Sequence, residues 1–203
     1  MQDIVDYKKL IIEVERHVTL LFELYWDENL IYHNLQHTQM VVDKVEEIAS
    51  SCNKTEEEMF ILATAAWFHD VGQLFVPPTC HEIHSVKVMV AFFSEKGVDA
   101  KLIQNIKKCI LATNLNTTPL NMLEMILCDA DTFNFGTDYF KVTDGMVREE
   151  LTKRNALPMG DWDKITLDLL RIHQFYTPYC IQKLSKGKSA NISLIESRIQ
   201  AKL

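Results

Sequence analysis

Apolar residues recur at three- and four-residue spacing along almost the whole chain, and the strict alternation of a half-buried strand is hard to find over any stretch. The pattern predicts an all-α protein of about eight to nine helices. Leu10, Ile11, Val14, Val18, Leu21 and Leu24 mark a first helix that should finish near Trp26–Asn29. A second is expected from about Leu35 to Ser50, with Val41, Val42, Val45 and Ile48 inward and Asn34 as N-cap. Thr55 followed by Glu58 has the form of a capping box, opening a third helix whose apolar face leads directly to His69-Asp70. Gly72 is expected to stop that helix in a left-handed conformation. Further helices are predicted over His81–Lys96, Ala100–Thr113, Leu120–Asp131, Asp138–Lys153, Asp161–Lys186 and Ala190–Leu203.

Punctuation is sparse: Pro77-Pro78, Thr117-Thr118-Pro119 and Leu157-Pro158-Met159-Gly160. None is long enough to separate two domains, and no repeat or low-complexity tract is evident. One irregular helical bundle is expected across residues 1–203, with the chemistry concentrated in about 30–155 and the helices of about 160–203 packed on that core.

Composition adds bounds rather than detail. With 203 residues, 47% of them hydrophobic, the chain can bury a core without disulfides or a structural metal. Five cysteines without a C-x-x-C pair fit a reducing compartment, so the cytoplasm is expected. The first residues lack the layout of a signal peptide, and no apolar run is long enough to span a bilayer, so no membrane contact is expected. A net charge of −7 disfavours a nucleic-acid polymer, whose binding rests on many Lys and Arg contacts. A small phosphorylated ligand stays compatible, because one bound cation reverses the local field.

The candidate chemistry begins with His69-Asp70. Adjacent helical residues point about 100° apart and can reach one ion only near a helix end, and this pair sits in a last turn. His37 falls in the first turn of the second helix, and Asp129 and Asp131 close the sixth, so all these groups sit at element ends. Spacing alone does not choose between the two aspartates, which flank the buried stripe from opposite sides.

The segments Tyr32-His33-Asn34-Leu35-Gln36-His37, Phe68-His69-Asp70-Val71-Gly72, His81-Glu82-Ile83-His84-Ser85 and Cys128-Asp129-Ala130-Asp131 occur in the order seen across the HD phosphohydrolase superfamily. The chain resembles the branch of predicted metal-dependent HD phosphohydrolases with Y-H-N-x-x-H, F-H-D-x-G, H-E-x-x-S and I-L-C-D-A-D motifs, from about Leu10 past His173–Thr177. The resemblance implies an HD-type helical fold and places the metal ligands on His37, His69, Asp70 and the second aspartate, Asp131. Asp129 then becomes a cap, a supporting acceptor or a solvated carboxylate. This mixed N/O donor set suits one Mn²⁺, Fe²⁺, Co²⁺, Ni²⁺ or Zn²⁺, with Mg²⁺ a further candidate. Asp70, His81 and Glu82 are the candidate catalytic groups, and His33, Asn34, Gln73 and His84 the candidate substrate contacts. Relatives with two metals carry a further histidine after the following helix. Here Ala112–Asn116 offers none, which favours a single ion.

The function implied is hydrolysis of a small phosphorylated molecule, with nucleotides and cyclic nucleotides the leading class. Alarmone hydrolases carry an acidic pair after the His-Asp motif where this chain has Val71-Gly72-Gln73-Leu74, and the cyclic-dinucleotide branch carries a Gly-Tyr-Pro absent here. Two alternatives are a nucleotide-sensing module without turnover and, more remotely, an HD-type di-iron oxygenase, which needs more histidines than His81 and His84. A second copy of the chain is a candidate partner.

Overall fold

A computed structural model describes residues 6–202, and among them every regular element is helical. Nine α-helices follow in order: α1 (Tyr7–Leu24), α2 (Leu35–Ser50), α3 (Glu56–Phe68), α4 (His81–Phe93), α5 (Ala100–Ala112), α6 (Met122–Asp131), α7 (Phe140–Lys153), α8 (Trp162–Ile172) and α9 (Pro178–Gln200). Short 3₁₀ turns occupy Val71–Leu74, Pro78–Cys80 and Phe133–Gly136. None of the described helices is long and apolar enough to cross a membrane.

The bundle is organised around α3. Its apolar residues run right round the helix instead of along one stripe, the signature of a helix enclosed on all sides. Phe60, Ile61, Leu62, Ala65, Ala66, Trp67 and Phe68 are all buried, and α1, α2, α5 and α6 pack against them. Local chemistry sets the helix starts. Asn34 caps α2 by accepting from the His37 amide (3.1 Å), and Asn121 caps α6 through the Leu123 and Glu124 amides. Thr55 and Glu58 form the expected reciprocal box on α3, at 3.2 and 2.9 Å. A smaller apolar cluster of Phe140, Leu167, Leu170 and Ile195 joins α7, α8 and α9.

Two expectations are corrected. The chain breaks at His173–Thr177, and α9 then runs unbroken through Gly187, in place of one helix to Lys186 and another from Ala190. Pro178 explains the break, since it has no amide hydrogen, holds the preceding residue extended and starts a helix well at N1. Thr177 is accordingly extended, and its side chain caps α9. Gly187 marks a close approach: a Cβ there would lie 2.0 Å from the Gly136 carbonyl oxygen, so its lack of a side chain lets α9 rest on the 3₁₀ turn.

Gly72 is the second correction, because it has no positive φ. A Cβ on Gly72 would meet the His81 carbonyl oxygen at 2.0 Å, so glycine lets the turn after α3 touch the start of α4. Ser85 fixes that contact, donating to the His69 carbonyl (2.7 Å) and accepting from the Gly72 amide (2.8 Å).

Candidate metal centre

Three helix ends meet beside the core. The first turn of α2 delivers His37, the end of α3 delivers His69 and Asp70, and the last residue of α6 is Asp131. His69 keeps helical dihedrals, whereas Asp70 moves to φ −106°, ψ 0°. That change brings two adjacent side chains, which a continuous helix would splay apart, onto one centre.

The donor atoms are close. His37 Nε2 lies 3.1 Å from Asp131 Oδ1 and 3.4 Å from Asp70 Oδ2, while His69 Nε2 lies 3.2 Å from Asp70 Oδ2 and 3.6 Å from Asp131 Oδ1. His37, His69 and Asp70 are buried, and one donor from each falls within a 4.8 Å span. Asp131 keeps about a fifth of its side chain exposed, at 21%.

Direction matters more than proximity. Despite these short separations, His69 Nε2 and Asp70 Oδ2 make no hydrogen bond and are screened from solvent. Buried polar atoms left without a partner are rare and costly. Two such atoms 3.2 Å apart with no hydrogen bond between them leave room for a partner that both could share. Neighbouring ligand atoms around one ion, with bonds of roughly 2.0–2.2 Å, sit about 3.0–3.5 Å apart, and the four observed spacings fall in or beside that interval. The residues therefore fit a divalent cation. His69 is already turned for it, since its Nδ1 donates to the Ala66 carbonyl (2.7 Å) and leaves Nε2 inward.

Electrostatics follow from this crowding. Burial alone would raise the Asp70 pKa, yet His69, His81 and His33 outweigh it and hold the carboxyl well below its ordinary value. Burial likewise opposes charge on His69, but Asp70 and Asp131 raise its pKa well above normal. His81 projects from the start of α4 with Nε2 3.2 Å from Asp70 Oδ1 and Nδ1 donating to the Pro78 carbonyl (2.6 Å). Burial works against its protonation, and the Asp70 and Pro78 contacts lift its pKa to about 9.

The other candidates divide. His33 stands beside His37, with ring centroids 5.8 Å apart. Glu82 is buried and accepts from Asn114 Nδ2 (2.8 Å), so it braces the segment that follows α5. Asn34 spends its oxygen on the His37 amide and its NH₂ on the Ile31 carbonyl, the capping role expected of it at the start of α2. Gln73 Oε1 is taken by Arg154 (2.6 Å), and His84 packs on the Phe75 ring at 5.3 Å; neither is drawn toward the ligand group. Asp129 is fully buried and accepts from the Tyr176 amide (2.9 Å), the Thr177 amide (2.8 Å) and the Thr177 hydroxyl (2.6 Å). It ties α6 to the start of α9.

Sequence reasoning missed Glu150 of α7 and Arg154, which caps the end of that helix. Glu150 sits among charged neighbours, and only its helical register with the buried Phe140 and Thr143 marks it as inward. Arg154 donates to the Gln73 side chain and carbonyl and to the Val76 carbonyl, joining α7 to the turn after Asp70. Two clefts open on either flank of Asp131. One, of about 210 Å³, is of mixed polarity and includes Asn114, Thr117, Thr132, His173, Leu169 and Ile172. The other, of about 280 Å³, reaches His37 and includes Tyr32, Lys44, Phe133 and Tyr139.

No family model matches the chain, and no curated protein matches it. Among solved structures, the Lin1889 protein from Listeria innocua is similar in fold, with a TM-score of 0.65 at 17% identity, over 97% of this chain and 98% of that one. At that identity the likeness concerns the fold alone.

Proposed function

We propose that this protein is a metal-dependent phosphohydrolase of the HD type, acting on a small phosphorylated molecule, with nucleotides and cyclic nucleotides the leading substrate class. The observation that carries the proposal is the convergence of His37, His69, Asp70 and Asp131 on one centre, where the buried His69 Nε2 and Asp70 Oδ2 lie 3.2 Å apart with no hydrogen-bond partner. The order of motifs along the chain supports the same reading.

Held by these four residues, a divalent ion would supply Lewis acidity toward a phosphoryl oxygen and lower the pKa of a water. The chain's own groups do the rest. His81 holds Asp70 from the side opposite His69, through the other carboxylate oxygen. The screened positions of His37, His69 and Asp70 keep bulk water from competing for the donors, and the exposed flank of Asp131 is the open side. The two clefts beside Asp131 give room for the parts of a substrate away from phosphorus. The rings of Phe133 and Tyr139 suit a planar group on one flank, and Asn114 and Thr117 suit hydrogen-bonding groups on the other.

The test is a metal-supplemented screen of nucleotides, cyclic nucleotides and simple phosphate esters, with Asp70→Ala and His69→Ala alongside. Release of phosphate or nucleoside that disappears in both variants is the expected result. Ligand recovered unchanged from protein carrying a full complement of metal would replace the enzyme reading with a sensing one. Activity that survives both substitutions would exclude this centre.

A further inference from the structure

Glu150 engages both of its carboxylate oxygens beside the site. It comes from α7, over a hundred residues from the segment it holds, and its side chain is fully buried. One oxygen accepts from the Tyr32 amide (2.7 Å) and the His33 amide (3.0 Å). The other faces His33 Nδ1 at 2.5 Å, with Arg154 Nη1 3.6 Å behind it. A carboxylate cannot donate, so the bond to the imidazole requires the proton to sit on Nδ1. The remaining nitrogen, Nε2, has no protein partner, and the side chain keeps 23% of its surface exposed. The ring stands edge-on to His37.

We infer that Glu150 is a positioning residue: it locks the His33 proton on Nδ1 and so presents Nε2 as the nitrogen that exchanges a proton at the site. The inference rests on the phosphohydrolase reading only for the step served. There, Nε2 takes the proton released when water attacks phosphorus, or returns it to the leaving oxygen; Nδ1 keeps its own throughout. Simple clamping of the loop would need only the oxygen that holds the Tyr32 and His33 amides. The second oxygen, with Arg154 balancing its charge, is spent on the ring.

Glu150→Gln separates the two roles. Its amide oxygen can keep both backbone bonds while its NH₂ faces Nδ1, donor against donor, which drives the His33 proton to Nε2. In ¹⁵N spectra of wild type, His33 should show a protonated Nδ1, and in Glu150→Gln an unprotonated one, with unchanged circular dichroism and metal content. The kcat should fall about 10–100-fold with KM within about twofold, the scale at which such supporting partners act. In a His33→Ala background Glu150→Gln should cost nothing further, because its effect passes through the imidazole. A wild-type His33 with its proton on Nε2, or equal losses with and without the imidazole, would overturn the inference. If wild type turns over no phosphate ester, the parent reading fails, and the ¹⁵N comparison alone still decides whether Glu150 sets the tautomer.

Discussion

Asp129 and Asp131 lie two residues apart, the first wrapped by donors and the second a proposed metal ligand, which makes Asp129→Asn and Asp131→Asn a sharp pair. Burial raises the Asp129 pKa while three donors from Tyr176 and Thr177 restrain the rise. Replacing one carboxylate oxygen with NH₂ removes a bond to a charged acceptor, worth about 1.5–3 kcal/mol, and sets a donor against a buried amide. A total of about 2–4 kcal/mol lowers Tm by about 5–15 °C in a chain of this length. Asp131→Asn keeps an oxygen for His37 Nε2 at a partly exposed position, so metal-free stability should change by less than about 1 kcal/mol. Ligand at a hundredfold excess over Kd stabilises by about 2.7 kcal/mol, or about 5–11 °C. Melting curves recorded in chelator and in excess Mn²⁺ should therefore show a lowered baseline with an intact metal-induced rise for Asp129→Asn. Asp131→Asn should show a normal baseline with no rise. The converse pattern would refute the ligand assignment.

Three more outcomes follow from the packing. Gly72→Ala puts a Cβ 2.0 Å from the His81 carbonyl oxygen; forced separation of α4 from the turn after Asp70 should cost about 2–4 kcal/mol in denaturant unfolding, and wild-type stability would contradict the close-approach reading. Thiol reagent on the native protein should modify Cys80 first and Cys52 next, since Cys109 and Cys180 are buried with pKa values pushed up to about 12; early labelling of Cys109 would show that the core opens. Burial and the neighbouring Lys188 lower the His173 pKa to about 4, so the unfolded chain binds this proton first as pH falls. Its contribution leaves stability intact above about pH 6.5 and reduces it between there and about 4, and an NMR titration of the His173 ring with a midpoint near 6.5 would be inconsistent.

Much of this arrangement was legible in the chain because it is local. Asn34, Thr55 and Glu58 declare helix starts by side-chain bonds that span three residues, and the apolar run before His69 announces a helix end that delivers chemistry. Pro178 carried an equally local signal for the break before α9, outweighed by the apolar periodicity running across it. The roles of Gly72 and Gly187 depend on segments brought together only by packing, so sequence marked Gly72 as a helix stop and gave Gly187 no role, while the fold uses both as contact points. Glu150 is the same lesson in a polar residue: its partners at Tyr32 and His33 lie over a hundred residues away along the chain. Asp129 and Asp131 could be assigned by resemblance but not by spacing, because what separates them is the Tyr176–Thr177 loop that wraps the first and leaves the second open.

The central claim is that one cation sits among the ends of α2, α3 and α6. Anomalous diffraction from crystals grown with Mn²⁺, collected on both sides of its absorption edge, tests it most directly. The account predicts one strong peak within bonding distance of the Nε2 atoms of His37 and His69 and of the Asp70 and Asp131 carboxylates. A peak elsewhere, or none at this position in protein that carries stoichiometric manganese, would contradict it.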